Sequence, residues 1–258
     1  MKVVILPGAG EVARVAARRI AEAVRRRRDA VVGLATGSSP LGLYAELARQ
    51  VAAGELDVSG VRGFALDEYV GLPPAHPQSY ASVLRRTVAE PLGLDPGRVH
   101  VPDGCAADLD AAAAGYERDI RAAGGIDVQI LGIGANGHIG FNEPTSSLSS
   151  RTRIKTLAPR TRADNARFFA FPEEVPVHCL TQGLGTILEA RELVLVAQGE
   201  AKADAVAAAV EGPLSSMCPA SVLQLHPRAG VYLDEAAAAR LRLADYYRHT
   251  YAHRPGKA

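Results

Sequence analysis

The sequence lacks an excess of charge of either sign, long apolar runs and paired cysteines. Its 258 residues carry 29 basic against 28 acidic side chains, a formal net charge of +1. This balance excludes the strongly basic composition typical of nucleic-acid-binding proteins. Apolar runs such as Val3 to Leu6 are far shorter than the roughly 20 residues that a membrane span needs. We therefore expect a soluble protein with neither nucleic-acid nor membrane partners.

Cysteine usage and the N-terminal residues suggest a reducing compartment. The chain has three cysteines, Cys105, Cys179 and Cys218, and no two of them form a C-x-x-C motif. Because their number is odd and this motif is missing, we predict free thiols. The first apolar run ends at Pro7-Gly8 and is too short for a signal-peptide core. A cytoplasmic location is the resulting expectation.

Short β-branched runs alternate with longer amphipathic segments, a pattern typical of a mostly parallel sheet with helices on both faces. Strands are predicted at Val3 to Leu6, Val31 to Ala35, Gly63 to Leu66, Val128 to Ile133, Leu193 to Ala197 and Gly230 to Leu233. Helices are predicted at Glu11 to Arg28, Leu41 to Ala53, Ser79 to Ala89, Leu109 to Ala122, Thr181 to Ala190, Lys202 to Val210 and Ala236 to Tyr247.

Proline and glycine are spread over many short connections, and no internal repeat or linker is apparent. We predict a single α/β domain over residues 1–247. A polar C-terminal tail, residues 248–258, is expected to fray.

In sheets of this class, ligands gather where the strands end. After Val31 to Ala35 comes the string Thr36-Gly37-Ser38-Ser39-Pro40, in which small residues and hydroxyls favour binding of an anion at the start of a helix. It is not a Walker A loop, because no Gly-Lys-Ser/Thr follows. The string predicts a small phosphorylated ligand, with an ordinary helix cap at Ser39 as the alternative.

Two carboxylates, Asp67 and Glu68, follow the strand Gly63 to Leu66. Partial burial can bring a carboxyl pKa towards neutrality, so one of them is a candidate general base. Acids at strand ends also cap loops and pair with arginines, and that alternative stays open at this point.

The most informative string follows Val128 to Ile133 and reads Gly134-Ala135-Asn136-Gly137-His138-Ile139-Gly140-Phe141-Asn142-Glu143-Pro144. Its glycines permit a tight turn, and it places His138 and Glu143 five residues apart on one loop, with Asn136 nearby. This combination predicts a proton-transfer unit. One histidine and one glutamate are an incomplete ligand set, so we expect no metal.

Together these strings closely resemble the glucosamine-6-phosphate deaminase family. The resemblance runs from Val31 to about Pro227 and includes Leu66 to Leu72, Ser150 to Leu157, Asn165 to Phe169, Gly199 to Lys202 and Leu223 to Pro227. It implies a Rossmann-like α/β fold, no cofactor, and the reaction of D-glucosamine 6-phosphate with water to give D-fructose 6-phosphate and ammonium.

The resemblance also implies roles for individual residues. His138 is the acid/base for opening the sugar ring, with Glu143 and Asn136 in a hydrogen-bonded relay. Asp67 moves a proton from C2 to C1. The sugar phosphate is bound by the cations Arg167 and Lys202 and by the segment Thr36, Gly37, Ser38 and Ser39.

One position varies in the family, because some members carry Asp where this chain has Asn136. An amide cannot ionise, so the relay has one carboxylate fewer and the electrostatic support of a protonated His138 is weaker. The reaction class is unchanged, while the pH dependence is expected to differ.

Three other functions are compatible with parts of this pattern. A 6-phosphogluconolactonase shares the fold, but the ending Phe141-Asn142-Glu143-Pro144 favours the deaminase. A sugar-phosphate effector domain of a transcription regulator would need a DNA-binding domain, for which the residues before Val3 leave no room. A galactosamine-6-phosphate deaminase differs only in one hydroxyl orientation of its substrate and stays open.

Regulation is a further expectation from the resemblance. In hexameric relatives, a segment that matches Ser146, Arg153 and Lys155 binds the effector N-acetylglucosamine 6-phosphate between subunits, and a C-terminal tyrosine, here Tyr246, belongs to the network. We therefore expect a homo-oligomer, with a hexamer favoured. The alternative is that Arg153 and Lys155 simply lie on an exposed strand.

Overall fold

The computed structural model describes residues 1–254. Its strands are β1 (Lys2–Leu6), β2 (Val31–Leu34), β3 (Arg62–Ala65), β4 (Asp67–Tyr69), β5 (Val99–His100), β6 (Val128–Leu131), β7 (Arg153–Thr156), β8 (His178–Thr181), β9 (Leu193–Ala197) and β10 (Ala229–Asp234). Its α-helices are α1 (Ala9–Arg26), α2 (Leu41–Ala52), α3 (Tyr80–Leu84), α4 (Glu90–Leu92), α5 (Leu109–Ala122), α6 (Pro159–Asn165), α7 (Leu184–Leu188), α8 (Ala203–Glu211) and α9 (Ala244–Ala252).

Seven strands form a parallel sheet in the order β1-β10-β9-β6-β2-β3-β5. Strands β2, β6 and β9 are buried along their whole length, as expected for a sheet flanked by helices. The predicted single-domain α/β fold and its six predicted strands are confirmed, with strand ends that differ by no more than two residues.

A second sheet was not predicted. Strands β4, β8 and β7 pair antiparallel in that order, with Asp67 opposite Thr181 and Arg153 also opposite Thr181. The predicted helix from Thr181 to Ala190 is therefore wrong at its start, where β8 ends at Thr181 and α7 begins only at Leu184. Gly183 lies between the two elements. Glycine is required there because a Cβ would lie 2.0 Å from the Ser150 carbonyl oxygen.

The C-terminal helix also differs from its prediction. The Asp234 carboxylate accepts hydrogen bonds from the Gly199 and Ala237 amides, which holds the chain after β10 in turns. Glu211 then accepts the amides of Arg242 and Leu243, just before α9. The helix runs from Ala244 to Ala252 and lies against β1, so residues 248–252 are helical instead of frayed. Residues 255–258 of the predicted tail lie outside the described residues.

No helix of the described chain combines the length and apolar character that crossing a membrane requires.

Candidate active site

Four neighbouring strands of the parallel sheet, β9, β6, β2 and β3, end at one edge. The chain leaves these strands at Ala197, Leu131, Leu34 and Ala65, and the predicted site residues follow in each case. The loops after the strands therefore meet at this carboxyl edge, where ligands bind in open parallel sheets. The strand order explains why residues far apart in the sequence share one site.

The segment Thr36 to Pro40 leads from β2 into α2. Gly37 has φ +88°, a conformation that other residues rarely adopt, and both Gly37 and Ser38 are exposed. Pro40 immediately precedes the helix, which begins at Leu41 as predicted. The Gln198 side chain donates a hydrogen bond to the Ser39 carbonyl oxygen (3.3 Å), which links this segment to the loop after β9. The segment presents small residues and hydroxyls next to a helix N-terminus.

Asp67 lies on β4 directly after β3 and is only 4% exposed. Burial, followed by the charge of Glu68, raises the pKa of Asp67 to about 8. A carboxyl group with a pKa near neutrality can both accept and return a proton. Burial therefore moves the titration of Asp67 close to neutral pH.

Glu68 has a different role from its neighbour. Its carboxylate accepts backbone hydrogen bonds from Tyr69 (2.8 Å), Tyr80 (2.9 Å) and Ala81 (2.9 Å). These contacts satisfy the N-terminus of α3 and fix β4 against it. Of the two adjacent acids, Glu68 is held by backbone donors, whereas the Asp67 carboxylate accepts no hydrogen bond from the described residues.

The Gly-rich loop turns sharply after β6. The Gly134 amide donates to the His138 carbonyl oxygen (2.9 Å), and the Gly137 amide donates to the Gly134 carbonyl oxygen (3.0 Å). A Cβ at Gly134 would lie 2.2 Å from Cε1 of His138. Glycine at position 134 therefore leaves the space in which the imidazole ring folds back over the strand end.

The three residues of the predicted relay lie together around the buried Glu143, although Nδ1 of His138 has no hydrogen-bond partner within residues 1–254. The Glu143 Oε2 atom lies 3.6 Å from Nδ1 of His138 and accepts a hydrogen bond from Asn136 Nδ2 (2.7 Å). Its Oε1 atom accepts a hydrogen bond from the Ala158 amide (3.2 Å), just before α6. The Asn136 Oδ1 atom also accepts the His138 amide (3.2 Å).

The electrostatics of Glu143 favour its charged form. Burial alone would raise the pKa of Glu143, but the neighbouring His138 ring, the Thr161 hydroxyl and the Asn136 amide outweigh it and lower that pKa to about 2. Glu143 is therefore a carboxylate at neutral pH and can stabilise a positive charge on His138.

Two residues that the sequence reasoning missed connect the loop to Asp67. The Thr181 hydroxyl accepts the Phe141 amide (3.1 Å), and Thr181 pairs with Asp67 across β4 and β8. Asn142 donates to the carbonyl oxygens of Ile139 (2.9 Å) and Gln182 (2.8 Å). Asn142 lies in the Gly-rich string, but Thr181 gave no signal because its segment was interpreted as helix.

The loop also approaches Asp67 directly. Gly140 has φ +54°, and a Cβ at this position would lie 3.5 Å from Asp67 Oδ2 and 3.0 Å from Thr181 Oγ1. The Phe141 ring lies between the two sides of the site, with its centroid 6.5 Å from that of His138 and 5.7 Å from that of Tyr69. The acid and the histidine loop thus face a common space.

The predicted phosphate-binding cations share one electrostatic environment. Lys202 is half-buried, and its pKa is lowered by burial and by the positive charge of Arg167, while Asp164 opposes the change. Arg167 is exposed, with its guanidinium carbon 4.7 Å from the centroid of the Phe168 ring. An anion near Lys202 would therefore offset the repulsion that Arg167 exerts on it.

The predicted regulatory residues are only partly brought together. Ser146 is buried, and its hydroxyl has no hydrogen-bond partner within residues 1–254. Arg153 and Lys155 lie on β7, an edge strand, and Arg153 donates to Asn142 Oδ1 (2.8 Å). Tyr246 is exposed on α9, with its ring beside Tyr247. Contacts in the described chain connect Arg153 to the Gly-rich loop but do not connect Tyr246 to the other three residues.

Comparison with known proteins adds sequence relatives over the whole chain. A family model described as glucosamine-6-phosphate isomerases/6-phosphogluconolactonase matches residues 8–232. The glucosamine-6-phosphate deaminase of Cutibacterium acnes is 61% identical over 254 residues, covering 98% of this chain and 97% of that protein. The glucosamine-6-phosphate deaminase of Streptomyces coelicolor is 59% identical over 256 residues, covering 99% and 98%.

Solved structures similar to this chain include a deaminase and a lactonase. The chain is 40% identical to a monomeric glucosamine-6-phosphate deaminase, with a TM-score of 0.91 over 93% of this chain and 100% of that one. A 6-phosphogluconolactonase from Trypanosoma cruzi is 19% identical, with a TM-score of 0.75 over 93% of this chain and 97% of that one. The second similarity is one of fold alone.

Proposed function

The chain belongs to the family of glucosamine-6-phosphate isomerases and 6-phosphogluconolactonases, and we propose that it converts D-glucosamine 6-phosphate and water to D-fructose 6-phosphate and ammonium. The observation that carries this proposal is the buried Asp67, with a pKa of about 8, facing the loop that bears His138 and Glu143. Relatives named as deaminases at about 60% identity support it.

Ring opening comes first. Only the open-chain aldehyde at C1 can delocalise the electrons left when the C2 proton departs. His138 passes a proton between the ring oxygen and the C1 hydroxyl, and the Glu143 carboxylate, 3.6 Å from its Nδ1 atom, stabilises the positive charge that the ring acquires. Asn136 holds Glu143 in place through its 2.7 Å hydrogen bond.

Isomerisation and hydrolysis follow. The Asp67 carboxylate takes the proton from C2, the C–H electrons form a C1–C2 double bond, and the C1 oxygen gains a proton, which gives an enolamine. Asp67 returns its proton to C1, and the nitrogen on C2 becomes an iminium. Water adds to C2, ammonia leaves, and the C2 ketone of fructose 6-phosphate remains.

Binding of the phosphate is assigned to the other loops of the same edge. Arg167 and Lys202 supply positive charge, and the segment Thr36 to Ser39 supplies hydroxyl and backbone donors. Because this group is remote from C1 and C2, it contributes affinity and orientation to every step. We propose that no metal or cofactor takes part.

The epimer preference is part of the proposal. Galactosamine 6-phosphate, the alternative substrate, differs only at C4, and no residue named above is assigned to the C4 hydroxyl. The names of the close relatives support the glucosamine epimer. A 6-phosphogluconolactonase activity is disfavoured, because the structures of that class resemble this chain only in fold.

Regulation and assembly extend the proposal. We infer a homo-oligomer, with a hexamer favoured, that N-acetylglucosamine 6-phosphate activates through Ser146, Arg153, Lys155 and Tyr246. The hydrogen bond from Arg153 to Asn142 supports a connection between β7 and the Gly-rich loop. Sedimentation and substrate saturation curves with and without effector test this inference. A monomer like the 40% identical relative, with unchanged hyperbolic kinetics, would refute it.

The proposed location is the cytoplasm, because a doubly charged sugar phosphate does not cross a lipid bilayer unaided and the enzyme must share its compartment. Fractionation of cells that produce the protein tests this location.

A coupled assay tests the proposed reaction. Glucosamine 6-phosphate, galactosamine 6-phosphate and 6-phosphogluconolactone are supplied in parallel, and ammonium and fructose 6-phosphate are measured. Equal amounts of both products from glucosamine 6-phosphate are expected. Lactone hydrolysis without ammonium would contradict the proposed function, and preferred turnover of the galactosamine epimer would correct the substrate.

A further inference from the structure

A second cleft of about 530 Å³ lies at the opposite edge of the parallel sheet from the candidate active site. Residues at the amino ends of β1 and β10, together with Glu192 before β9, line it, as do the outer face of α1 and the end of α9. Its volume falls within the range of roughly 300 to 1,000 Å³ that is typical of small-molecule sites. No residue assigned to the reaction above contributes to this cleft.

The cleft is strongly basic, although the chain as a whole is nearly neutral. Its lining includes the basic side chains Lys2, Arg18, Arg19, Arg228 and Arg254 and only two acidic ones. Arg19 engages both acids, donating from Nη1 to Glu22 (2.7 Å) and from Nη2 to Glu192 (2.8 Å). The acids are therefore already used by one of the five cations.

The remaining cations have no acidic partner of comparable closeness. Within residues 1–254, Lys2, Arg18 and Arg228 form no ion pair. Lys2 and Arg254 approach the same Tyr251 ring, with their charged atoms 5.5 Å and 4.1 Å from its centroid. Burial, then the charges of Arg254 and Arg19, lower the pKa of Lys2. A multiply charged anion in the cleft would relieve this repulsion.

We propose that this cleft binds a small molecule bearing one or two phosphate groups, at a site separate from the reaction centre. The two exposed guanidinium groups, Arg18 and Arg228, offer the forked donors that match phosphate oxygens, and Lys2 adds a point charge. A phosphate group carries close to two negative charges at neutral pH, which suits a cleft with several uncompensated cations better than a single carboxylate does.

Equilibrium dialysis with radiolabelled inorganic pyrophosphate tests the proposal. All proteins in this test also carry Arg167→Ala and Lys202→Ala, which weaken phosphate binding at the reaction centre, so that binding there contributes little. The test variant is Arg18→Ser/Arg228→Ser. The matched control is Arg25→Ser/Arg28→Ser, which removes the same charge from exposed positions outside the cleft, where Arg25 contacts the Glu55 carbonyl oxygen and Arg28 contacts Asp57.

The expected result is one pyrophosphate bound per chain, with affinity reduced at least about tenfold in the cleft variant, the size of effect typical when charged hydrogen bonds are lost. The control should bind like the parent protein. The proposal is overturned if pyrophosphate does not bind at millimolar concentrations, or if the cleft variant and the control variant weaken binding equally. The reaction assay above is independent of each outcome.

Discussion

Nδ1 of His138 lies 3.6 Å from Oε2 of Glu143, and the same oxygen accepts the side-chain amide of Asn136. This arrangement places a carboxylate, with a pKa of about 2, beside the imidazole that is proposed to open the sugar ring. Asn136 cannot ionise, so Glu143 is the carboxylate of this relay. The charge balance of His138 therefore depends on Glu143.

Glu143→Gln should reduce turnover about tenfold to a hundredfold, because a neutral amide gives less support to a protonated His138. It should also reduce stability at neutral pH. The depressed pKa of Glu143 contributes stability above about pH 4.5, which is lost as the pH falls towards 2.

Urea unfolding of the wild type and Glu143→Gln at a series of pH values checks this sign. The difference in the free energy of unfolding should be largest at neutral pH and shrink below about pH 4.5. Glu173→Gln, a change at an exposed position, is the control. A difference independent of pH would mean that the charge on Glu143 does not stabilise the fold.

Gly134→Ala should impair catalysis by displacing His138, because the new Cβ would lie 2.2 Å from the imidazole Cε1 atom. A misplaced catalytic group of this kind costs about a hundredfold in kcat. Gly10→Ala serves as the control, since a Cβ at that position of α1 meets no atom within 4 Å. Equal activity of both alanine variants in the coupled assay would show that the imidazole position is unimportant.

Arg167→Ala and Lys202→Ala should each raise KM about tenfold or more and change kcat less, since a charged hydrogen bond contributes roughly 1.5 to 3 kcal/mol and the phosphate is remote from C2. Substrate saturation curves measure this. Arg160→Ala removes a neighbouring exposed charge that pairs with Asp164 and should leave KM unchanged. Unaltered KM in both test variants would place the phosphate elsewhere.

Asp67→Asn should stabilise the protein at pH values above 3.8, the ordinary pKa of an aspartate. Because burial raises the pKa of Asp67 from 3.8 to about 8, the unfolded chain releases this proton at lower pH than the folded chain does. Wild-type stability therefore falls as pH rises through that interval, and the neutral amide removes the effect.

Thermal unfolding measures the difference between these two proteins. The Tm of Asp67→Asn should exceed that of the wild type near pH 8 by about 2 to 4 °C for each kcal/mol regained. The two Tm values should converge below about pH 3, where Asp67 is protonated in both the folded and the unfolded state. A lower Tm for the variant at every pH would contradict the burial of an ionisable group.

The parts of the fold with apolar strands were predictable, and the small antiparallel sheet was not. Strands β2, β6 and β9 are buried apolar runs that hydropathy identifies readily. Strands β4, β7 and β8 have three or four residues each and contain charged or polar side chains, so no apolar run identifies them. Their pairing depends on contacts between residues far apart in the sequence.

The residues of the candidate active site also fall into a predictable and an unpredictable group. His138, Glu143 and Asn136 lie on one loop, so the sequence places them near one another. Thr181 reaches the Phe141 amide only because β8 pairs with β4, and Arg153 reaches Asn142 from β7. The pKa of Asp67 likewise arises from tertiary burial, which the local sequence does not specify.

The central claim is that Asp67 transfers the substrate's C2 proton, and turnover of glucosamine 6-phosphate deuterated at C2 tests it most directly. The wild type should release ammonium and exchange the C2 label with solvent. Asp67→Asn should bind substrate with similar affinity while both rates fall by about 10² to 10⁴, the usual cost of losing a positioned base. Ammonium release and label exchange at wild-type rates in Asp67→Asn would contradict the assignment.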